Sequence, residues 1–430
     1  MAATVHHHGR TEDAMPATAA LSHLAFFEAL AAEPDDRSPR WRQISAGLLT
    51  LRAFDAWLLH ARRGDAPPDG FAVAAVRLAV EEIEGGSTVR PVLLGAVDAM
   101  RQPAQRADVV RGHLLAYARR LQFDSAWRLA GDVFRTFVES RPPHDVSADA
   151  MEAAFQCGYC FRMAGDVDEA ALAYDTGEAI AVAARNDYGM LKARVCQAKL
   201  TSHRGNLPQA ERELDAVVAA AEATGCDRAL SLALTDRMAV AGRRGQYEAA
   251  ATFGYRALRC CADELERERI LSDLATALGD AGQRQAARDA HLVLSVTARD
   301  QSVAWLSTLN LMDLAVGDGS EVDFERHRRA LAGVALPAVQ RAHYHLIAGE
   351  GHARFGRHAA AVAAYRSAMA SAEECGANDL LVRAESALRA LEKTTRGATA
   401  DAAGGDAGSV TIDEVVRAMR ELRETVAAGR

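Results

Sequence analysis

Apolar residues recur at three- and four-residue intervals over 21–32, 39–64, 71–84 and 88–101, the spacing of one buried helical face, and this predicts four helices there. The stretch WRQISAGLLTLRAFDAWLLHARRG is long and strongly amphipathic, and GDAPPDG after it is a clear break. Beyond about residue 106 the helical spacing continues, now punctuated at fixed distances. Gly165 is followed by Ala170, Gly205 by Ala210, Gly245 by Ala250, Gly282 by Ala287 and Gly356 by Ala361. The first three glycines lie 40 residues apart, the next interval is 37, and the last is 74, twice 37. A worn repeat with its turn at Gly317–Gly319 is therefore expected in between.

One unit, residues 151–184, shows the physical content. Ala154, Cys157, Gly158 and Phe161 keep helical spacing, after which Gly165 supplies the positive φ that ends a helix. Asp166 is placed to cap the next helix, whose Ala170, Tyr174 and Gly177 share one stripe. Small residues at Gly158 and Ala170 would let two backbones approach closely. The expected product is an antiparallel helix pair that cannot bury its apolar face alone, so the pairs must stack. About seven pairs are expected over 106–395, preceded by an N-terminal segment (1–20) without regular structure and a helical cap at 21–105.

At the other end, RGATADAAGGDAGS (396–409) has no apolar periodicity and reads as a flexible linker. It leads to an amphipathic helix over 410–430, with Val415, Met419, Leu422 and Val426 on one stripe and Thr411 with Glu414 as a capping box. This helix is expected to fold back over the last repeat, the alternative being pairing with a partner or a second copy.

Composition narrows the picture. The chain of 430 residues is too long for one compact core, leaving several domains or an elongated array. It is 49% hydrophobic but only 6% aromatic and is rich in alanine, which favours helices and excludes an all-β fold. No apolar run reaches the length of a membrane span, and the first 30 residues lack a basic segment followed by an apolar core, so a soluble, cytoplasmic protein without membrane contact is expected. The net charge of −8 argues against a nucleic-acid partner. Of 50 basic residues only Lys192, Lys199 and Lys393 are lysines, so an arginine cluster carries little information here.

Candidate chemistry is sparse. Cys157, Cys160, Cys196, Cys226, Cys260, Cys261 and Cys375 are expected as reduced thiols. The pair Cys157-Gly-Tyr-Cys160 falls inside a repeat helix, away from the helix N-terminus that activates a redox thiol, and reads as two small buried residues. No second C-x-x-C completes a zinc site. Cys260 and Cys261 cannot both face inward, so one is expected to be exposed and oxidisable. His343, His345, His352 and His358 crowd the last clear unit; His343 and Glu350 could share a helical face, but no H-x-x-x-H pair is present, and the histidines read as solvated or core residues. His6, His7 and His8 imply no physiological metal. Glycine patterns that cradle phosphate, G-x-S-x-G, H-E-x-x-H and a basic helix-turn-helix reader are all absent from the sequence. No catalytic, cofactor or metal residue is therefore assigned, and an enzyme is a remote alternative.

The repeat unit resembles the tetratricopeptide repeat family. That family has a small residue in the eighth place, an aromatic in the eleventh, glycine near the fifteenth, alanine in the twentieth and an aromatic in the twenty-fourth; Gly158, Phe161, Gly165, Ala170 and Tyr174 fill those places, with Gly177 where the family has alanine in the twenty-seventh. Gly349, Gly356, Ala361, Tyr365 and Ala368 match again, with His352 replacing the aromatic, while Tyr117 and Ala126 mark an N-terminal unit without its glycine. The long period is similar to that in the sensor arms of MalT-type regulators and in peptide-responsive Rap-type proteins. The resemblance implies an all-α, right-handed α-solenoid of stacked antiparallel pairs, whose first helices line a concave groove.

Carried over place by place, the resemblance puts Arg111 and Arg119 in that groove, then Phe155, Tyr159 and Arg162, flanked by Glu152 and Met163. The next units would add Lys192, Lys199 and His203, followed by Arg243. It implies a basic groove with an aromatic floor that accepts a protein or peptide segment, acidic or ending in a carboxylate. The asparagines of the family's carboxylate clamp are replaced by Gln156, Cys196 and Asp236. Toward the C-terminus the lining becomes mixed, with Arg269, Asp280, Asp313, His343, Glu350 and Arg354. The expected function is a non-catalytic adaptor or scaffold, the alternative being a sensor in which a small peptide or metabolite controls a partner. A dimer through the N-terminal cap or the last helix stays open.

Overall fold

In the computed structural model, residues 22–63, 70–101, 107–142, 144–394 and 410–428 are described, and all their regular structure is α-helical. Among these residues no helix is long and apolar enough to cross a membrane. The chain divides into two compact units, 1–114 and 115–430.

The first unit holds α1 (Leu24–Ala32), α2 (Pro39–Arg63), α3 (Gly70–Glu81) and α4 (Val89–Met100). Helix α2 packs against the other three around Phe26, Leu51, Phe54, Val80, Leu93 and Val97, all of them fully buried. The division falls within α5 (Ala107–Phe123), which is followed by α6 (Trp127–Ser140).

From there the second unit proceeds in pairs: α7 (Ala148–Met163) with α8 (Val167–Ala183), α9 (Asp187–His203) with α10 (Leu207–Thr224), and α11 (Asp227–Arg243) with α12 (Tyr247–Cys260). The series continues with α13 (Glu264–Asp280) and α14 (Arg284–Thr297), α15 (Gln301–Asp318) and α16 (Glu321–Leu331), α17 (Ala338–Arg354) and α18 (His358–Cys375), then α19 (Asn378–Thr394) and α20 (Val410–Ala428). Successive helices from α6 to α19 pack on one another, and from α7 on each first helix also touches the first helix of the next pair, whereas α20 packs on α12 and α14. This is an α-solenoid.

The expected glycine punctuation is present. Gly165, Gly205, Gly245, Gly282, Gly319 and Gly356 all have φ between 71 and 87°. In each turn the next amide reaches back to a carbonyl in the last turn of the helix, as from Asp166 to Phe161 at 2.8 Å, closing the helix end as a left-handed cap does. Gly317 remains helical, so the worn repeat breaks at Gly319 alone. Two such positions lack glycine: Ser125 (φ 60°) and Arg185 (φ 52°) are held left-handed by the same hydrogen bond. Arg185 is exposed. Arg185→Gly should therefore raise stability by roughly 0.5–1 kcal/mol, the left-handed strain relieved less the extra entropy glycine loses; an unchanged urea midpoint would show that the turn carries no strain.

At Gly158 an added Cβ would lie 2.3 Å from the ring of Tyr174, so the small residue makes room for that ring, as Gly349 does for Tyr365. Two expectations are corrected. Asp166 makes no side-chain cap; its carboxylate accepts from Arg128 at 2.7 Å, while Asn206 does cap α10 through the Gln209 amide. And α20 does not cover the last repeat. That place is taken by α19, which buries Leu380, Ala384 and Leu391 against the core of α17 and α18. Helix α20 lies on α14 and α12, with Ile412, Val415 and Met419 buried there. The expected linker over 396–409 and the Thr411 side chain lie outside the described residues.

Candidate functional site

The first helices of successive pairs carry their inward residues at three- to four-residue intervals, so each presents one strip of side chains to a shared wall. On α7 the strip is Glu152, Phe155, Gln156 and Tyr159; on α9 it is Tyr188, Lys192, Cys196 and Lys199; on α13 it includes Glu266 and Arg269. Two adjoining cavities result. One of about 800 Å³ is enclosed by α7, α9, α11 and α13, and another of about 1110 Å³ extends to α15, α17 and α19; they share Glu152, Gln156, Tyr159, Glu266 and Arg269.

Phe155, Tyr159, Lys192 and Lys199 thus come together on the smaller cavity, and Arg119 joins Tyr159 on the larger one. Arg162 lies over the Tyr159 ring, 5.4 Å from its centroid. Arg162, His203 and Arg243 line neither cavity: His203 is exposed at the end of α9, and Arg243 donates to the carbonyl and hydroxyl of Ser202 at 2.8 and 2.6 Å, tying two repeats together. Arg111 belongs to the first unit. Tyr188, Arg228 and Glu266, not foreseen from the sequence, also line the smaller cavity. They stand in the opening turns of α9, α11 and α13.

The wall differs from the expected basic groove because its lysines are paired. Lys192 donates to Glu152 at 2.6 Å and sits over the Phe155 ring at 4.8 Å. Burial works against the Glu152 charge, but Lys192 outweighs it and holds the carboxyl below its ordinary range. Lys199 stands 3.0 Å from Asp236; burial opposes its charge, yet the carboxylate prevails and the ammonium titrates above its usual value. The cations facing rings instead are Arg162 over Tyr159 and Arg228 over Tyr188, the latter at 4.0 Å.

Farther along, the wall turns acidic. Asp273 is an exposed residue, yet the helices packed around it, then Asp236 and Glu266 nearby, push its carboxyl up to about 6 against the opposing pull of Lys199. Crowding by the surrounding helices likewise raises Asp280 and Asp313, both exposed residues, and the half-buried Glu350, with Asp313 adding repulsion on the other two. Because Asp273 ionises later folded than unfolded, its charge withdraws stability as pH rises from the ordinary carboxylate range through about 6. Asp273→Asn should therefore raise the urea midpoint at pH 7 and leave it nearly unchanged at pH 4; an equal gain at both would remove charge as its cause.

The remaining candidate chemistry settles into packing. Cys157 and Cys160 are buried in α7; burial pushes the Cys157 thiol up to about 12 and raises Cys160 as well, so neither supplies thiolate near neutrality. Cys260 is half-buried and Cys261 buried, both at the rim of the smaller cavity. His343 lines the larger cavity, whereas His352 packs edge-on against Phe324, 5.6 Å between centroids. Among the described residues no three His, Cys, Asp or Glu side chains gather as metal ligands would.

No protein-family model matches the chain, and no curated protein matches it either. In structure it is similar to a Rap protein solved in complex with the competence and sporulation factor, with a TM-score of 0.46 and 9% identity, over 89% of this chain and 100% of that one.

Proposed function

We propose that this chain is a non-catalytic adaptor of the tetratricopeptide type that binds a peptide segment of a partner protein along its first-helix wall. The observation that carries the reading is the pair of adjoining cavities, about 1110 and 800 Å³, floored by Phe155, Tyr159 and Tyr188. Arg228, which lines the smaller cavity with the Tyr188 ring beneath it, would meet an acidic side chain or a C-terminal carboxylate. The acidic wall near Asp273 and Asp313 would favour a basic side chain at the other end of the segment.

A second reading is a sensor of a small peptide or metabolite. It is favoured by the smaller cavity, whose volume of about 800 Å³ lies within the range of small-ligand sites.

Peptides selected from a displayed random library should bind the wild-type chain and lose about tenfold or more in affinity with the Tyr159→Ala/Lys199→Glu double variant. An unchanged Kd for a variant that keeps its helical circular dichroism would move binding away from this wall. A library that yields nothing, beside a small ligand that compacts the chain in small-angle scattering, would favour the sensor.

A further inference from the structure

Helix α20 occupies a site on the opposite side of the pairs from the wall just described, between the second helices α12 and α14. Its apolar face is spent there: Ile412, Val415 and Met419 are at most 2% exposed and share a core with Ala251, Ala286, Ala290 and Leu294. Alanines on the receiving helices let a third helix approach closely. The other face of α20, with Glu414, Arg417, Arg420, Glu421 and Glu424, is exposed.

The second feature is electrostatic. The Asp289 side chain on α14 is only 3% exposed, and its carboxylate accepts from Arg423 of α20 at 2.7 Å and from Gln285 at 2.8 Å. A carboxylate so buried is costly without a cation. The cleft is therefore selective: it takes an amphipathic helix with apolar residues in the register of 412, 415 and 419 and a cation in the register of 423, and it penalises one lacking that cation. Arg423, being half-exposed at the rim, makes this pair from outside, as a docking group would.

We propose that the α12–α14 cleft is an acceptor site for a partner's amphipathic helix of this pattern, occupied in cis by α20, which must leave before the partner can dock. The site is separate from the first-helix wall and does not rest on the adaptor reading. Covalent attachment gives α20 an effective concentration on the order of millimolar, enough to exclude a free helix of similar intrinsic affinity until the cis contact is weakened.

The test uses the full chain and a fluorescein-labelled peptide of residues 410–428, followed by anisotropy. The Arg423→Glu chain should bind this peptide at least about tenfold more tightly than the wild-type chain, because its own helix no longer satisfies Asp289. A labelled peptide that itself carries Arg423→Glu should bind neither. In a companion measurement, a protease site inserted within 396–409 is cut after folding, and the nicked chain should exchange its terminal fragment for labelled peptide. Equal affinity for both chains, or no binding to the variant together with no exchange in the nicked chain, would overturn the proposal. A wild-type dimer that dissociates on Arg423→Glu would also overturn it, since a second copy would then supply the helix.

Discussion

Replacing Gly158 with alanine should cost about 3 kcal/mol, the upper end of what overpacking a core costs. An added Cβ would stand 2.3 Å from Cε1 and 2.4 Å from Cδ1 of Tyr174, whose ring is 1% exposed. The ring is buried between α7 and α8 and borders the smaller cavity, so it can yield only by repacking that side of the core. The cost is specific to that contact, so it should be partly recovered in the Gly158→Ala/Tyr174→Leu double variant, a positive coupling in a mutant cycle. Gly165→Ala is the useful contrast. Nothing lies within 4 Å of the position its Cβ would take, and its penalty of about 1–2 kcal/mol comes from a φ of +84°, which no change at Tyr174 can relieve. Urea unfolding of these three variants, with Tyr174→Leu alone completing the cycle, separates the two mechanisms. A Gly158→Ala cost below about 1 kcal/mol would mean that the helix pair is loose enough to absorb a methyl group.

Acidification should unfold the solenoid through one histidine more than through any surface ion pair. His291, on α14, is 2% exposed, and burial alone lowers its pKa to about 4. The folded chain keeps the imidazole neutral while the unfolded chain protonates it near 6.5, so the stability it contributes is present above that pH and is lost as pH falls toward 4. A shift of this size corresponds to roughly 3 kcal/mol. His291→Met, close in volume and untitratable, should abolish that part of the slope; its buried Nδ1 has no hydrogen-bond partner, so little is sacrificed at pH 7. Parallel loss of stability in both proteins between pH 6.5 and 4 would assign the acid sensitivity elsewhere.

The array was legible because its punctuation is chemical. Glycine is the residue that takes positive φ cheaply, and a fixed glycine-to-alanine distance therefore marked the turns, including the worn one at Gly319. The turns at Ser125 and Arg185 were harder to read because residues with side chains stand there under strain. The wall's aromatic residues were reached by place in the repeat, but its charge balance was misread along single helices. Glu152 and Lys192 are 40 residues apart, one repeat, which makes them neighbours on adjacent first helices. Charges in a solenoid must be read down the stack as well as along the helix.

The position of α20 carried a signal too. Helix α14 buries Ala286, Ala287, Asp289, Ala290, His291, Val293 and Leu294, more than one stripe, so it has packing partners on two sides. In RQAARDAHLVLSVT the alanines 286 and 290 lie beside the repeat position at 287, and that second stripe is the mark of an added helix. Its partner could not be deduced from periodicity, since Arg423 and Asp289 are 134 residues apart.

Binding at the inner wall is tested most directly by hydrogen exchange on the full chain with and without a selected peptide. Amides along α7, α9, α11 and α13, from Glu152 to Tyr159, Tyr188 to Lys199, Arg228 to Leu232 and Glu266 to Asp273, should slow together on binding. Slowing confined to α12, α14 and α20, or to the first unit, would contradict a peptide site on the first-helix wall.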